Sequence, residues 1–170
     1  VWIAPGHPVR FKPIVAACRA YGFRTRIRSE DGGADPTCQC FVVDSMGELI
    51  EFNAAADVAF VGGSLVPVGG HNLLEPAALQ CPVIVGPQTF NFEEVTEDLI
   101  NAGAALRIVN GDALGSTVVR LLSREVERRS MGEAAHRVLA RERGAVERTM
   151  AFVERGLLEA GNRASGIGDR

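Results

Sequence analysis

Residues 56–92 read ADVAFVGGSLVPVGGHNLLEPAALQCPVIVGPQTFNF and contain the most regular pattern in the chain. The apolar run Asp57–Val61 ends in a glycine pair, a segment with helical spacing follows at Asn72–Gln80, and a second apolar run occupies Pro82–Val85. Short apolar runs on either side of a helix are typical of parallel strands that are covered on both faces. The stretch therefore predicts a β-α-β unit.

The same alternation continues on both sides of this stretch. Six short apolar runs predict strands: Val1–Ala4, Thr25–Arg28, Cys40–Asp44, Asp57–Val61, Pro82–Val85 and Ala105–Val109. Six segments predict helices: Pro13–Tyr21, Gly47–Ala56, Asn72–Gln80, Glu93–Ala102, Asp112–Ser123 and Glu125–Leu158, the last one broken near Gly132 and Gly144. Right-handed crossovers join such strands into a Rossmann-like, doubly wound parallel sheet of about six strands. Ligands of such sheets bind beyond the carboxyl ends of the strands, so the loops that follow strands are the candidate sites.

Length and composition indicate one globular domain. The chain has 170 residues, of which 46% are hydrophobic and 23% charged, and it lacks the apolar run of about 18 residues that crosses a membrane. The net charge of −3 gives no indication of nucleic-acid binding. We expect a domain over residues 1–160 and a disordered tail over 161–170, which has no apolar pattern. Because the chain opens on a strand-like run without an initiator Met, we expect a fragment of a longer protein.

The four cysteines predict neither a metal site nor a redox centre. Cys38 and Cys40 form a C-x-C pair without the second pair of ligands that a structural metal requires, and Cys18 and Cys81 lie in apolar surroundings. The motifs for a phosphate loop, a dinucleotide fingerprint, a nucleophile elbow and a zinc-binding helix are also missing. No cofactor and no metal are therefore expected, and the thiols favour a reducing, cytoplasmic compartment.

The loop Gly62–His71 is the strongest candidate site. One glycine pair follows the predicted strand, and a second pair, Gly69-Gly70, comes just before the predicted helix at Asn72. Glycine permits positive φ and close approach of a ligand to the backbone, while the free N–H groups and the dipole of a helix start attract an anion. We expect a nucleotide phosphate at this helix start, with Glu75 placed to accept hydrogen bonds from ribose hydroxyls.

A purely structural interpretation of the same residues stays open. Asn72 and Glu75 have the spacing of a capping box, with Asn as the N-cap and Glu at the third helical position. The glycine pairs favour a ligand, because a helix cap requires neither of them.

Three other loops follow predicted strands. His7 and Arg10 come just after the first strand, where a cation meets a phosphate or a carboxylate. Ser45 either caps the next helix or faces the ligand crevice with its backbone. Asn91 and Glu94, in the loop after the fifth strand, again have the spacing of a helix cap.

Four segments together resemble the carboxy-terminal domain of the 3-deoxy-D-manno-octulosonic acid (Kdo) transferase family. They are APGHPVRF at Ala4–Phe11, DSMGEL at Asp44–Leu49, ADVAFVGGSLVPVGGHNLLEPAA at Ala56–Ala78 and PVIVGPQTFNF at Pro82–Phe92. The G-G-H-N-x-L-E block followed by G-P-x-T-x-N-F is the specific part of the pattern. The similarity runs in order from Val1 to about Phe152.

The resemblance implies a GT-B glycosyltransferase, whose two Rossmann-like halves face each other across a cleft. Such enzymes transfer Kdo from CMP-Kdo to a lipid A precursor during lipopolysaccharide biosynthesis, at the cytoplasmic face of the bacterial inner membrane. This chain resembles the C-terminal half, which holds the donor. The general base, the acceptor surface and the membrane contact are implied for an N-terminal domain absent from this sequence. We therefore expect the fragment to bind CMP weakly and to be inactive on its own.

The resemblance also implies which residues contact the donor. By position they are His7, Arg10, Ser45, Met46, Gly47, Gly63, Ser64, Gly69, Gly70, His71, Asn72 and Glu75. The Gly69–Asn72 turn would cradle the CMP phosphate, Glu75 would hold the ribose, and Gly63 and Ser64 would line the cleft floor. Many relatives resemble Pro-Arg-His-Pro in the first loop, whereas this chain has Gly6 in place of the arginine, so His7 or Arg10 would have to compensate.

Two alternatives remain at this stage. Another GT-B protein, such as a UDP-sugar transferase or a sugar-nucleotide epimerase, would share the fold and the acidic ribose contact. A non-catalytic nucleotide-binding module would share the fold alone. Tighter binding of UDP than of CMP would favour the first alternative.

Overall fold

The structure, a computed structural model, describes residues 1–31, 36–141 and 150. The predicted helix break near Gly144 and the predicted tail over 161–170 lie outside the described residues. The chain divides into two compact units, Val1–Ala55 and Ala56–Arg170.

The first unit contains a three-stranded parallel sheet. Its elements are β1 (Trp2–Ile3), a 3-10 turn (Pro8–Arg10), α1 (Phe11–Ala20), β2 (Thr25–Ile27), α2 (Arg28–Asp31), β3 (Cys40–Val42) and α3 (Leu49–Ala54). The strand order is β1-β3-β2, and all pairs are parallel. β3 is central, and each of its side chains is buried.

Aromatic packing holds α3 on this sheet. The ring of Phe52 lies edge-on to Trp2 of β1, with centroids 5.5 Å apart, and tilted against Phe41 of β3 at 6.0 Å. Edge-to-face and tilted arrangements favour the quadrupoles of the rings. On α1, Val15 and Cys18 are the buried residues.

The second unit repeats the architecture. Its elements are β4 (Ala59–Phe60), α4 (Leu74–Ala78), β5 (Val83–Val85), α5 (Glu93–Asn101), β6 (Ala105–Arg107), α6 (Gly111–Leu122) and a helix over residues 125–141, here α7. The strand order is β4-β5-β6, again parallel.

Apolar clusters cover both faces of the second sheet. Successive residues of a strand point to opposite faces, and β5 divides accordingly. Val83 and Val85 pack with Leu73 of the segment before α4 and Leu99 of α5, whereas Ile84 packs in a separate cluster. The other buried members of that second cluster are Ile108, Leu121 and Met131.

The predicted α/β fold with six parallel strands is confirmed. The hydrogen bonds group these strands into two sheets of three, a division that apolar periodicity does not reveal. α4 is shorter than expected, since it begins at Leu74 and ends at Ala78.

The predicted helix break near Gly132 is wrong. Residues 125–141 are helical without interruption, and Gly132 is buried within them. A β-carbon at Gly132 would lie 2.3 Å from the carbonyl oxygen of Gln80. Gly132 therefore allows α7 to pass close to the chain after α4, and it does not end the helix.

Candidate functional site

The loop after β4 folds back on itself. The carbonyl of Gly63 accepts a hydrogen bond from the Gly70 N–H at 3.1 Å, and that of Gly62 accepts one from the His71 N–H at 3.2 Å. The two glycine pairs of the sequence therefore lie side by side. The N–H groups of Gly70 and His71 are used within the protein, which removes two of the donors expected for a phosphate.

The Gly69-Gly70 turn requires glycine for reasons internal to the protein. Both residues have positive φ, +94° and +77°, the region that L side chains avoid. A β-carbon at Gly69 would lie 2.5 Å from the ring of Phe90 and 2.6 Å from the side-chain nitrogen of Asn91. The packing of the loop after β5 on the turn therefore gives these glycines a structural role, besides the ligand that the sequence favours.

Asn91 connects the two loops. Its side-chain amide donates to the carbonyl of Val68 at 2.9 Å and to that of Gly70 at 3.4 Å, while its backbone N–H donates to the carbonyl of Gly69 at 3.1 Å. The expected role of Asn91 as a cap of α5 is wrong, since Phe92 occupies the N-cap position without a side-chain cap. Sequence reasoning missed this residue as part of the site, although the motif G-P-x-T-x-N-F contains it.

Ser64 is fully buried, with no accessible surface. Its hydroxyl donates to the carbonyl of Val61 at 2.5 Å and accepts from the N–H of Gly86 at 2.8 Å. A β-carbon at Gly86 would lie 2.3 Å from the carbonyl oxygen of Ser64. The side chain therefore fastens the ends of β4 and β5 to each other and has no surface to offer a ligand.

Asn72 and Glu75 interact, but not as a reciprocal capping box. The Asn72 side-chain oxygen accepts from the Leu74 N–H at 3.0 Å, and its amide nitrogen donates to the Glu75 carboxylate at 3.1 Å. The carboxylate thus binds the side chain of Asn72 and not its backbone, and Leu73 occupies the N-cap position. The predicted capping box is therefore wrong, although Asn72 still accepts from the first N–H of α4 and its amide orients the Glu75 carboxylate.

Two backbone donors remain at this turn. Within the described part of the chain, the N–H groups of Asn72 and Leu73 have no acceptor. Both N–H groups come directly after His71 in the chain. His71 is exposed, and its ring lies beside Gly63, with Nε2 3.3 Å from where a β-carbon of Gly63 would be. Asn72 is exposed whereas Leu73 is buried, so of these two donors the Asn72 N–H is the one that belongs to a surface residue.

The predicted residues after β1 are exposed at the surface of the first unit. Nδ1 of His7 accepts from the Val9 N–H at 3.3 Å, and the Arg10 N–H donates to the His7 carbonyl at 3.0 Å. His7 thus caps the 3-10 turn with one ring nitrogen. The side chain of Arg10 stays at the surface.

An ion pair orders the predicted residues after β3. The guanidinium of Arg28 contacts both carboxylate oxygens of Glu48, at 2.9 and 3.2 Å, and the hydroxyl of Ser45 donates to the same carboxylate. The hydrogen bonds from Ser45 and Arg28 hold the pKa of Glu48 below its ordinary value. Ser45 therefore does not cap α3 as sequence reasoning allowed, and that reasoning did not predict that Arg28 and Glu48 order this loop.

The neighbouring contacts leave part of this loop open. Asp44 accepts hydrogen bonds from the N–H and the hydroxyl of Ser29, at 2.9 and 2.5 Å. Met46 is 72% exposed, and Gly47 has φ +89° with open space where a β-carbon would be. The loops after β2 and β3 are thus tied together at their polar ends, while residues 46 and 47 face solvent in the first unit.

The predicted site residues form separate groups within each unit. In the second unit the structure brings together Gly63, Ser64, Gly69, Gly70, His71, Asn72 and Glu75. In the first unit His7 and Arg10 follow β1, and Ser45, Met46 and Gly47 follow β3. Most of them lie in the segments that follow parallel strands, whereas Glu75 lies in the first turn of α4.

No family model matches the chain. Among curated relatives, the 3-deoxy-D-manno-octulosonic acid transferase of Bordetella pertussis is 40% identical over 155 residues, 91% of this chain and 36% of the relative. The enzyme of the same name from Haemophilus influenzae is 39% identical over 153 residues, 89% of this chain and 36% of the relative. The chain therefore spans little more than a third of these curated relatives.

A solved structure decides the assignment. The crystal structure of the C-terminal CMP-Kdo binding domain of WaaA from Acinetobacter baumannii superposes with a TM-score of 0.78 and 34% sequence identity, over 81% of this chain and 72% of that one. The chain belongs to the Kdo transferase family. The resemblance seen in the sequence is thereby confirmed, and so is the C-terminal, GT-B type of fold.

Across residues 1–31, 36–141 and 150, no helix has the length and apolar character needed to cross a bilayer. Over the same residues, no three His, Cys, Asp or Glu side chains are grouped as metal ligands. The C-x-C thiol of Cys38 instead contacts the carbonyl of Cys40 at 3.1 Å.

Proposed function

We propose that this chain binds CMP-Kdo and forms the donor-binding part of a glycosyltransferase. The proposal rests above all on the likeness to the C-terminal CMP-Kdo binding domain of WaaA. The turn that contains Gly69, Gly70 and Asn72 supports it, because this turn follows the carboxyl end of a parallel strand, where such folds bind nucleotides.

In this proposal the phosphate of CMP binds to the N–H group of Asn72, which belongs to an exposed residue. Gly70 and His71 donate their N–H groups to the carbonyls of Gly63 and Gly62, so they shape the turn without contacting the phosphate. Backbone N–H groups at a helix start carry partial positive charge and stabilise an anion. The exposed imidazole of His71 stands beside the same position.

Glu75 is the proposed ribose ligand. One of its carboxylate oxygens is held by the Asn72 side chain at 3.1 Å, which fixes the direction of the group. Its other oxygen can accept a hydrogen bond from a ribose hydroxyl, since a carboxylate has room for several donors. The contact with Asn72 thus favours the ribose role, because it orients a half-buried carboxylate at the mouth of the turn.

The resemblance also implies donor contacts within the first unit. His7 and Arg10 would meet the charged groups of CMP-Kdo, and Arg10 supplies the cationic side chain of a loop that has Gly6 where many relatives have arginine. The backbone of Ser45, Met46 and Gly47 would lie along the nucleotide, with Ser45 fixed by its bond to Glu48. In the second unit, Gly63 would line the cleft, and Ser64 would act only through the loops that it fastens.

For the whole enzyme we propose transfer of Kdo to a lipid A precursor at the cytoplasmic face of the bacterial inner membrane, in lipopolysaccharide biosynthesis. The acceptor hydroxyl oxygen forms a bond to the anomeric carbon of Kdo, the bond from that carbon to the CMP phosphate breaks, and the hydroxyl proton passes to a general base. The N–H group of Asn72 stabilises the departing phosphate charge. The base and the acceptor surface are proposed to lie outside these 170 residues, in a chain as long as the relatives.

Calorimetric titration of the chain with CMP, and with UMP as a control of equal charge, tests the proposal. We expect measurable CMP binding and weaker UMP binding. Absence of CMP binding, or tighter binding of UMP or UDP, would contradict a CMP-Kdo site and favour a UDP-sugar protein.

A further inference from the structure

We infer that Asn91 is the positioning residue of the nucleotide site, because its hydrogen bonds hold the Gly69-Gly70 turn in place. Three consecutive carbonyls, those of Val68, Gly69 and Gly70, accept hydrogen bonds from this one residue. The inference rests on the proposed binding of CMP, and it adds the device that shapes the site.

Two peptide groups of the turn are held at both ends. In the Gly69–Gly70 peptide, the carbonyl accepts from the Asn91 N–H at 3.1 Å and the N–H donates to Gly63 at 3.1 Å. In the Gly70–His71 peptide, the carbonyl accepts from the Asn91 side chain at 3.4 Å and the N–H donates to Gly62 at 3.2 Å. Because a peptide group is planar, bonds at both ends fix its rotation.

These hydrogen bonds act where the backbone would otherwise be most mobile. Glycine has more accessible backbone conformations than any other residue, and here two glycines in a row precede His71 and the N–H donor of Asn72. With the two peptides fixed, the chain enters His71 in one direction, so fewer orientations remain for the peptide that follows. The Asn72 N–H is then restricted before the nucleotide arrives, which lowers the entropic cost of binding.

The loop that carries Asn91 is itself anchored, so it can hold the turn. At its start, the N–H groups of Gly86 and Gln88 donate to the hydroxyl and the carbonyl of Ser64, at 2.8 and 2.9 Å. In its middle, the buried Thr89 accepts from Arg107 at 3.1 Å, and Arg107 is also paired with Glu97 at 2.7 Å. Asn91 thus joins a fixed loop to the glycine turn.

The test compares Asn91→Leu with Asn110→Leu in the 170-residue chain. Leucine branches at the same atom as asparagine and is uncharged, so the first substitution removes the two side-chain donors without adding charge near an anion. Asn110 lies in the same unit and caps α6 by accepting from the Ala113 N–H at 2.9 Å. The control therefore loses one side-chain hydrogen bond elsewhere.

Two quantities are measured for each variant: the Kd for CMP, by calorimetry, and the amide hydrogen exchange of Gly70 and His71 without nucleotide, by NMR. For N91L we expect Kd to rise about tenfold, the loss of roughly one hydrogen bond's contribution, and exchange at both amides to accelerate. For N110L we expect both quantities to stay within about twofold of the unsubstituted chain.

The outcomes separate this inference from the proposed function. Unchanged amide exchange in N91L overturns the inference, whether or not the Kd changes, because a positioning residue must release the turn. Accelerated exchange with an unchanged Kd also overturns it. If the unsubstituted chain binds no CMP, the proposed function fails. Faster amide exchange in N91L would then still show that the hydrogen bonds of Asn91 hold the turn.

Discussion

The hydroxyl oxygen of Ser64 lies 2.8 Å from the backbone nitrogen of Gly86 and accepts its hydrogen bond across the ends of two neighbouring strands. The same hydroxyl donates to Val61 at 2.5 Å, and the side chain has no exposed surface. This one group therefore satisfies a buried donor and a buried acceptor, from which water is excluded.

Ser64→Ala should destabilise the second unit by about 1–3 kcal/mol, because it leaves the Gly86 N–H and the Val61 carbonyl without this partner. Urea denaturation measures the change in the free energy of unfolding. Ser116→Ala is the control, since the hydroxyl of Ser116 is exposed and bonds only to carbonyls of its own helix, α6. Equal stability of the two variants would show that the Ser64 bonds contribute little.

Gly69→Ala should be more destabilising than Gly103→Ala. Both positions have positive φ, +94° and +73°, but a β-carbon at Gly103 has no neighbour within 4 Å, whereas one at Gly69 would overlap Phe90. Left-handed backbone costs both variants about 1–2 kcal/mol, and we expect steric overlap to add roughly 1–3 kcal/mol at Gly69 alone. Urea denaturation of the pair isolates that overlap, and equal losses would argue against the packing of Phe90 on the turn.

Glu75→Ala should raise the Kd for CMP about tenfold, if its carboxylate binds the ribose. A CMP analogue that lacks both ribose hydroxyls supplies the control. The chain should prefer CMP to this analogue, and the substitution should abolish that preference. A preference that survives in E75A would contradict the ribose role and leave Glu75 only its contact with the Asn72 side chain at 3.1 Å.

The pair between Glu48 and Arg28 should make the first unit sensitive to acid. The pKa of Glu48 is lower in the folded protein than its ordinary value of 4.5, so the unfolded state binds the proton more readily. The stabilisation is therefore complete above about pH 4.5 and is lost as the pH falls through the lower, folded pKa. We expect a small effect, because the pair is partly exposed.

Thermal denaturation between pH 7 and pH 3 measures this dependence. Glu48→Gln should flatten the decline in stability, whereas Glu51→Gln, an exposed position in α3, should leave it as it is. A decline that is equally steep in E48Q would assign the acid sensitivity to other carboxylates.

Much of the architecture could be predicted from local patterns. The six strands and the order of the helices follow apolar periodicity, which depends on residues close together in the chain. The loop after β4 is likewise a candidate ligand site from local features alone, since it follows a strand and is rich in glycine. The predicted helix break at Gly132 is wrong because this glycine permits close contact with Gln80, a residue far earlier in the chain. No local pattern of the sequence contains that neighbour.

The sequence by itself determined the family and the α/β class, and it indicated the turn at Gly69–Glu75 as the candidate ligand site. Only the tertiary structure decided which groups of that turn remain for a ligand. Asn91 takes the carbonyls of Val68 and Gly70 from 23 and 21 positions away, and Gly62 and Gly63 take the N–H groups of His71 and Gly70. Hydrogen bonds between distant segments leave no periodic trace in the sequence, because they are set by how the loops pack and not by the spacing of residues along the chain.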